Sequence, residues 1–316
     1  DSSISITNAK LSNDGKKICF VGWKNDGYDR LLGVIEKDKE EEILVSSWYP
    51  IRHPTWSTDD KIIGYNEITS FADSAPEFKD TDGIELKIID LTSLIIKTIS
   101  DKVNFSYDWN PDGKSIVTFE KYDRMIGKLE LMDIKTDKKK EVLLLPYSLD
   151  NINIKHIDEN NIIFLSPTPS LPIKYEAKEN DEGFYYNNWG IFRYNLKNNN
   201  LKQLTEKEQN IKYFDISPSK DKLLYIYSVE DKNKKWMQQK VVVTDINFTE
   251  TKEICLNYGE FEPFWVSDNE ICIRGSEKDS QDTKELKTLI ININNGTYFD
   301  LSKLISEYEE KEKKEK

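Results

Sequence analysis

Imidazole is almost missing from this chain: His53 and His156 are its two histidines. A metal centre built on several histidines is thereby excluded. Cysteine is nearly as scarce. Cys19, Cys255 and Cys272 form an odd set without C-x-x-C spacing, and each sits among apolar neighbours such as Ile18-Cys19-Phe20 and Ile271-Cys272-Ile273. That setting reads as buried free thiols, and spacing alone leaves one disulfide plus a spare thiol as the alternative. No apolar run approaches the ~18 residues of a membrane span. A basic stripe is also lacking. The formal net charge is −12, which speaks against a phosphate-backbone partner, so no nucleic acid is expected. The 45 Lys+Arg and 57 Asp+Glu residues are interspersed, as on a solvated surface.

Catalytic signatures are lacking as well. No G-x-S-x-G elbow, P-loop or G-x-G-x-x-G occurs, so neither a nucleophile elbow nor a phosphate cradle has a candidate, and no cofactor is expected. Paired carboxylates for glycoside chemistry stay open, because 57 acidic residues offer many pairs. The chain begins Asp1-Ser2-Ser3 with no Met and no apolar leader, which reads as a processed or trimmed form from which a signal or lipid anchor was removed.

What is present is a repeated turn in an aromatic-rich background of 16 Tyr, 13 Phe and 7 Trp. The stretch from Trp109 to Phe119 holds its clearest copy, Trp109-Asn110-Pro111-Asp112-Gly113-Lys114 followed by Ser115-Ile116-Val117-Thr118-Phe119. Pro111 presets φ, Asp112 bonds the backbone two residues on, and Gly113 takes a positive φ. The β-branched and aromatic residues after it favour a strand. Relatives recur at Leu11-Ser12-Asn13-Asp14-Gly15-Lys16, Trp56-Ser57-Thr58-Asp59-Asp60-Lys61, His156-Ile157-Asp158, Ile216-Ser217-Pro218-Ser219 and Val266-Ser267-Asp268. Taking Ser219 as the stand-in for the acid in the fifth copy, the steps are 45, 53, 46, 61 and 49 residues. They match the roughly 40–50 residues of a four-stranded propeller repeat, with insertions. Each copy is followed by a third strand ending in Asp/Asn-Leu/Ile, a polar turn and a fourth strand, as in Gly190 to Thr205.

The fold class that follows is all-β, a six-bladed β-propeller of four-stranded antiparallel blades. Its blades span roughly 6–47, 49–102, 103–149, 150–208, 209–259 and 260–304, forming one domain over 1–304, with a charged tail at 305–316. Each unit holds its own four strands, so closure is read as blade-to-blade packing, the alternative being that Ser3-Ile4-Ser5-Ile6 adds an outer strand to blade six. The W-S-x-D-D-K, W-N-P-D-G-K and I-S-P-S-K-D-K turns, with the G-I-F-R-Y-N-L…L-K-Q-L-T stretch, resemble the repeat of TolB-like propellers from about Ile6 to Leu304. That resemblance implies an extracytoplasmic bacterial protein, secreted, periplasmic or surface-anchored, that docks a protein or peptide. A monomer is expected.

Naming the strands of each blade a to d outward from the axis, the long b–c connections all fall on the face away from the Asp-Gly turns. They run from Asn66 to Ile84, Ser166 to Trp189 and Val229 to Lys240. Long loops on one face of a repeat fold commonly carry its binding role. The candidate contact residues on that face are Phe184, Tyr185, Tyr186, Trp189 and Trp236, joined by Arg52 and His53, with His156 also brought near the channel mouth by a d–a connection. Asp80, Asp82 and Glu85 are a weak metal candidate, since a full Ca²⁺ loop needs further ligands that are missing. The leading reading is a non-enzymatic docking or scaffold module. Its rivals are a carbohydrate-active enzyme using channel carboxylates and an accessory propeller of a larger protein.

Overall fold

The computed structural model describes residues 4–24, 29–69, 84–101, 103–121, 126–146, 153–167, 179–180, 183–184, 189–206, 209–230, 237–254, 258–259, 263–277 and 286–304. Local turn chemistry starts each sheet. In the first copy the Ser12 hydroxyl donates to Asp14 Oδ1 at 2.8 Å, and the same oxygen accepts the Lys16 N–H at 3.0 Å. Asp112 accepts the Lys114 N–H at 2.7 Å while Gly113 takes φ +67°, as its turn requires. Asp158 accepts from the N–H groups of Asn160 and Asn161 at 2.7 and 2.9 Å. The fifth copy departs from the sequence expectation. Ser219 does not take over the acid's role: its hydroxyl and that of Ser217 both donate to Asp221, so the carboxylate has moved two residues along.

Six sheets follow from these turns. The first contains β1 (Ile4–Leu11), β2 (Lys17–Lys24), β3 (Arg30–Glu36) and β4 (Glu42–Ser47). The second contains β5 (Ile51–Trp56), β6 (Ile62–Ile68), β7 (Ile84–Asp90) and β8 (Ile96–Ser100), and the third β9 (Val103–Trp109), β10 (Ser115–Lys121), β11 (Ile126–Asp133) and β12 (Lys139–Pro146). The fourth holds β13 (Ile154–His156) and β14 (Asn161–Pro167), then, beyond a two-strand pair of β15 (Glu179–Asn180) and β16 (Gly183–Phe184), β17 (Trp189–Asn195) and β18 (Asn200–Gln203). The fifth holds β19 (Asn210–Ile216), β20 (Lys222–Glu230), β21 (Met237–Asp245) and β22 (Thr251–Ile254). In the sixth, β23 (Tyr258–Gly259) and β24 (Phe264–Ser267) share the inner edge of β25 (Glu270–Glu277), followed by β26 (Leu286–Asn292) and β27 (Tyr298–Asp300). Apart from the β15–β16 pair inserted before β17, and β23 and β24 both flanking β25, neighbouring strands follow chain order, so the fold class is the all-β, six-bladed propeller read from the repeats.

Register settles two further expectations. Ile4, Ser5 and Ile6 pair with Lys24, Trp23 and Gly22 inside the first sheet, so this segment is an inner strand of its own blade. The third insertion is shorter than the sequence suggested, because β20 and β21 stay paired from Lys222↔Asp245 out to Glu230↔Met237. The a–b and c–d turns lie at the same end of each blade. Leu91 N–H donates to the Lys61 carbonyl at 2.9 Å, Ile134 to Lys114 at 3.0 Å, Ile246 to Asp221 at 2.9 Å and Ile293 to Asn269 at 2.9 Å. The b–c connections therefore emerge at the opposite end, as connectivity predicts.

The chain clusters into two compact units, Asp1–Ile163 with Asn195–Asn200, and Phe164–Tyr194 with Leu201–Lys316. Within the first, Cys19, Val21 and Leu32 of the first sheet pack on Ile51, Trp56, Ile63 and Tyr65 of the second. The second sheet's other face, with Ile68, Leu86 and Ile88, packs on Tyr107, Trp109, Ile116 and Met132 of the third. Within the second unit, Leu224, Ile226 and Val241 meet Trp265, Ile271 and Leu289. Covering both faces explains why β6 is buried continuously from Ile63 to Ile68 instead of alternating. Cys19 and Cys272 are free and buried, and burial raises the Cys19 thiol pKa to about 12, so it acts as a small apolar side chain. Cys255 lies outside the described residues.

Candidate functional site

The inner strands of the first unit carry the strongest concentration of unusual chemistry. They are stitched to one another by side chains. Trp56 Nε1 donates to the Lys10 carbonyl at 2.9 Å, tying β5 to β1. Tyr107 Oη donates to the His53 carbonyl at 2.7 Å and Trp109 Nε1 to Thr55 Oγ1 at 3.2 Å, tying β9 to β5. Asp108 Oδ2 accepts the His156 N–H at 2.7 Å and Ser106 Oγ the Ile154 N–H at 2.9 Å, tying β13 to β9. Gly64 allows this close approach, since a Cβ there would stand 2.9 Å from the Tyr107 ring.

His53 is the irregular point of that wall. The β5–β6 register shifts between Arg52 and Thr55, and His53 sits at φ +52° immediately before Pro54. Left-handed backbone on a non-glycine residue is strained, and a following proline further limits the residue before it. The clamp from Tyr107 on its carbonyl supplies the surrounding structure such strain needs. His53 is reached by solvent, yet protein crowds its ring. Desolvation first, then the charges of Arg52, Lys10 and Lys155, lower its pKa from 6.5 to about 4. Three cations from the inner strands of three different blades thus act on one imidazole, in a chain whose net charge is −12. Asp108 is the carboxylate beside them, 3.9 Å from Lys155 Nζ. The assembly suits a carboxylate-bearing ligand, because a neutral His53 offers a hydrogen-bonding ring among charges that attract an anion.

Arg52 and His53 are both exposed at the start of β5. The expectation for His156 is corrected. It is 1% exposed, because β13 alternates buried Ile154, half-buried Lys155 and buried His156, and Lys155 is the side chain the strand turns outward. Lys10, Asp108 and Lys155 were missed, since nothing local marks a lysine whose partners lie a blade away. Trp48, 74% exposed on the connection entering β5, was missed too, although a solvent-facing Trp shortly before the Arg52-His53 pair was a readable signal.

The remaining expectations divide differently. Trp189 opens β17 half-buried, and Phe184 lies in the short β15–β16 pair. Tyr185, Tyr186 and Trp236 lie outside the described residues, as do Asp80 and Asp82. Glu85 forms an ion pair with Lys87 at 3.0 Å, and among the described residues no group of three His, Cys, Asp or Glu side chains is placed to hold a metal.

Buried carboxylates are present, and they are neutralised. Glu67 takes the Ser47 hydroxyl and the Lys87 ammonium. One blade on, Glu120 takes the Ser100 hydroxyl and Lys139 Nζ, the latter at 2.7 Å, and Glu130 pairs with Lys128 at 2.6 Å. In both blades the serine precedes its glutamate by 20 residues, a spacing visible in the sequence. Burial raises the Glu120 pKa, but the hydrogen bonds from Lys139 and Ser100 and the Lys139 charge outweigh it and hold the pKa below the ordinary value. A glycosidase proton donor needs the opposite shift. The bonds from Ser47 and Ser100 to these glutamates tie blade to blade.

Neither a family model nor a curated protein sequence matches the chain. Solved structures do. TolB from Acinetobacter baumannii superposes with a TM-score of 0.60 at 18% identity, over 92% of this chain and 64% of that one. The fold is TolB-like. A prolyl endopeptidase structure gives a TM-score of 0.61 at 11% identity over 94% of this chain, and the TolB-like chain spans 42% of its length. The β-propeller domain of the Trilobed protease from Pyrococcus furiosus gives 0.61 at 15% identity, over 94% of this chain and 84% of that domain. At these identities the likeness carries the fold and leaves function to the site. No helix among the described residues is long and apolar enough to cross a membrane.

Proposed function

We propose that the chain is a non-enzymatic propeller module that docks an acidic protein or peptide segment on its inner strands, with Arg52, Lys10 and Lys155 as the attracting charges and His53 among them. What carries this reading is a clamped, left-handed His53 whose pKa is lowered by desolvation and by the charges of Arg52, Lys10 and Lys155. Trp48, exposed on the connection entering β5, is the proposed aromatic anchor, of the kind that dominates interfaces. Phe184, Tyr185, Tyr186, Trp189 and Trp236 are proposed as a separate contact region. An extracytoplasmic site of action and a monomeric state accompany the proposal, on the TolB-like fold.

The test is calorimetric titration with a glutamate-rich peptide and a lysine-rich peptide of equal length. The acidic peptide binds, its affinity falls with added salt, and Arg52→Ala/Lys155→Ala weakens it about tenfold or more. Equal binding of both peptides, or an unchanged affinity in the variant, would overturn the reading. A second reading is favoured by one comparison, that the chain spans 42% of a prolyl endopeptidase: it is the accessory propeller of a larger protein. The coding sequence on either side of these residues decides it.

A further inference from the structure

Between the second and third sheets, an apolar core encloses polar atoms that the protein does not satisfy. Along β6, Ile62 and Ile68 pack in the core shared with the third sheet, and Gly64 faces Tyr107 there. Asn66 lies between Gly64 and Ile68 on that same face of the strand. Along β10, Ile116 belongs to the same core and Glu120 receives the Ser100 hydroxyl from β8. Thr118, between them, faces the second sheet. Its cross-strand partners are Tyr107 and Glu130, while the partner of Asn66 on the inner strand is Arg52. Two rows therefore line one seam: Arg52 and Asn66 on one side, Tyr107, Thr118 and Glu130 on the other.

Asn66 and Thr118 are each 0% exposed, and both carboxamide atoms of Asn66 and the Thr118 hydroxyl have no hydrogen-bond partner among the described residues. Glu130 Oε2 is in the same condition, apart from Lys139 Nζ at 3.6 Å. Burial of an amide, a hydroxyl and a carboxylate oxygen without partners is strongly unfavourable, and native interiors avoid it. We infer that this seam is an internal hydration site, in which ordered water bridges Asn66, Thr118 and Glu130. Water is favoured over a cation by the donor set. The Asn66 Nδ2 hydrogens need an acceptor, which a cation is not, and the ammonium groups of Lys128 and Lys139 already neutralise Glu120 and Glu130. Each water accepts from Asn66 Nδ2 or the Thr118 hydroxyl and has two protons to donate, so Oδ1, Oγ1 and Oε2 are shared among more than one ordered water. Arg52 borders both places, but the hydration of the seam does not depend on the docking reading.

The sign of one isosteric substitution tests it. In a hydrated seam, Thr118→Val strands a bound water and lowers Tm by about 2 °C or more; in a dry seam it removes an unsatisfied hydroxyl and raises Tm. Asn66→Leu combined with Thr118→Val should cost less than the two separate losses added, because both act on the same hydration site. A crystal structure that resolves ordered solvent gives the independent readout. Density within hydrogen-bond distance of Asn66 and Thr118 supports the inference. A Tm raised by Thr118→Val, or an Asn66 carboxamide bonded to protein groups alone, overturns it.

Discussion

The turn end of the blades and their inner strands are cut from the same repeat, yet they are built on opposite rules. At the turns most copies use an Asp or Asn side-chain oxygen to hold the N–H groups two and three residues on, as Asp90, Asp133, Asp158 and Asn195 each do. Each c–d turn also contains one left-handed residue: Asp38, Leu94, Asp137, Asn199, Phe248 and Gly296 in turn. On the inner strands the copies diverge. Lys10, Thr55 and Asp108, at matching positions, have no common type, and among the described strand residues His53 alone takes a positive φ. Agreement among repeats marks what the fold requires, and disagreement marks what is left for a ligand.

That contrast can be broken by experiment, and the tryptophans of the inner strands should give the greatest effect. Trp109→Ala removes a repeated inter-blade anchor and should cost about 3–5 kcal/mol in urea unfolding, with Trp56→Ala and Trp265→Ala alike, since each indole N–H also reaches the preceding blade. A cost near zero would show that blades do not lean on these rings. Arg52→Ala/Lys155→Ala should do the reverse, leaving Tm within a few degrees while abolishing most acidic-peptide binding, because both side chains reach solvent and neither belongs to the core.

The turn carboxylates give the acid limb. Backbone and side-chain hydrogen bonds hold the Asp90 and Asp133 pKa values below 3.8 in the folded state. A depressed folded value means stability that is complete above the unfolded value and lost as pH falls below it through the folded one. Asp90→Asn and Asp133→Asn should therefore flatten the loss of Tm below about pH 4, with little change in its slope near pH 7. The smallest effect is at Leu94, exposed and held at φ +57°. Leu94→Gly should raise stability by up to about 1 kcal/mol through relief of that strain, partly offset by glycine's chain entropy. A loss there would mean the turn uses the leucine side chain.

The difference between the two regions also explains what the sequence disclosed. Asp112-Gly113 and its relatives act on atoms two or three residues away, so spacing alone reveals the turn, the four-strand order and the end from which the b–c connections leave. The fifth turn misled only because its carboxylate, Asp221, lies two residues beyond the pattern. Lys10, Arg52 and Lys155 act together on His53 only because Trp56, Tyr107, Trp109 and Asp108 draw four inner strands together, and no single stretch records that. His156 misled for a related reason: its neighbour Lys155 takes the outward place, which a two-residue alternation decides only once the strand's face is known.

Three cations converging on His53 leave a signature that can be read without any partner, in the imidazole titration followed by NMR in the intact protein. A pKa of about 4 is expected, against an ordinary value of 6.5, together with a shift upward in Arg52→Ala. Because the folded value lies below the unfolded one, stability should also fall as pH drops from 6.5 toward 4. A wild-type pKa near 6.5 that Arg52→Ala leaves unmoved would refute the convergence, and with it the basis of the docking site.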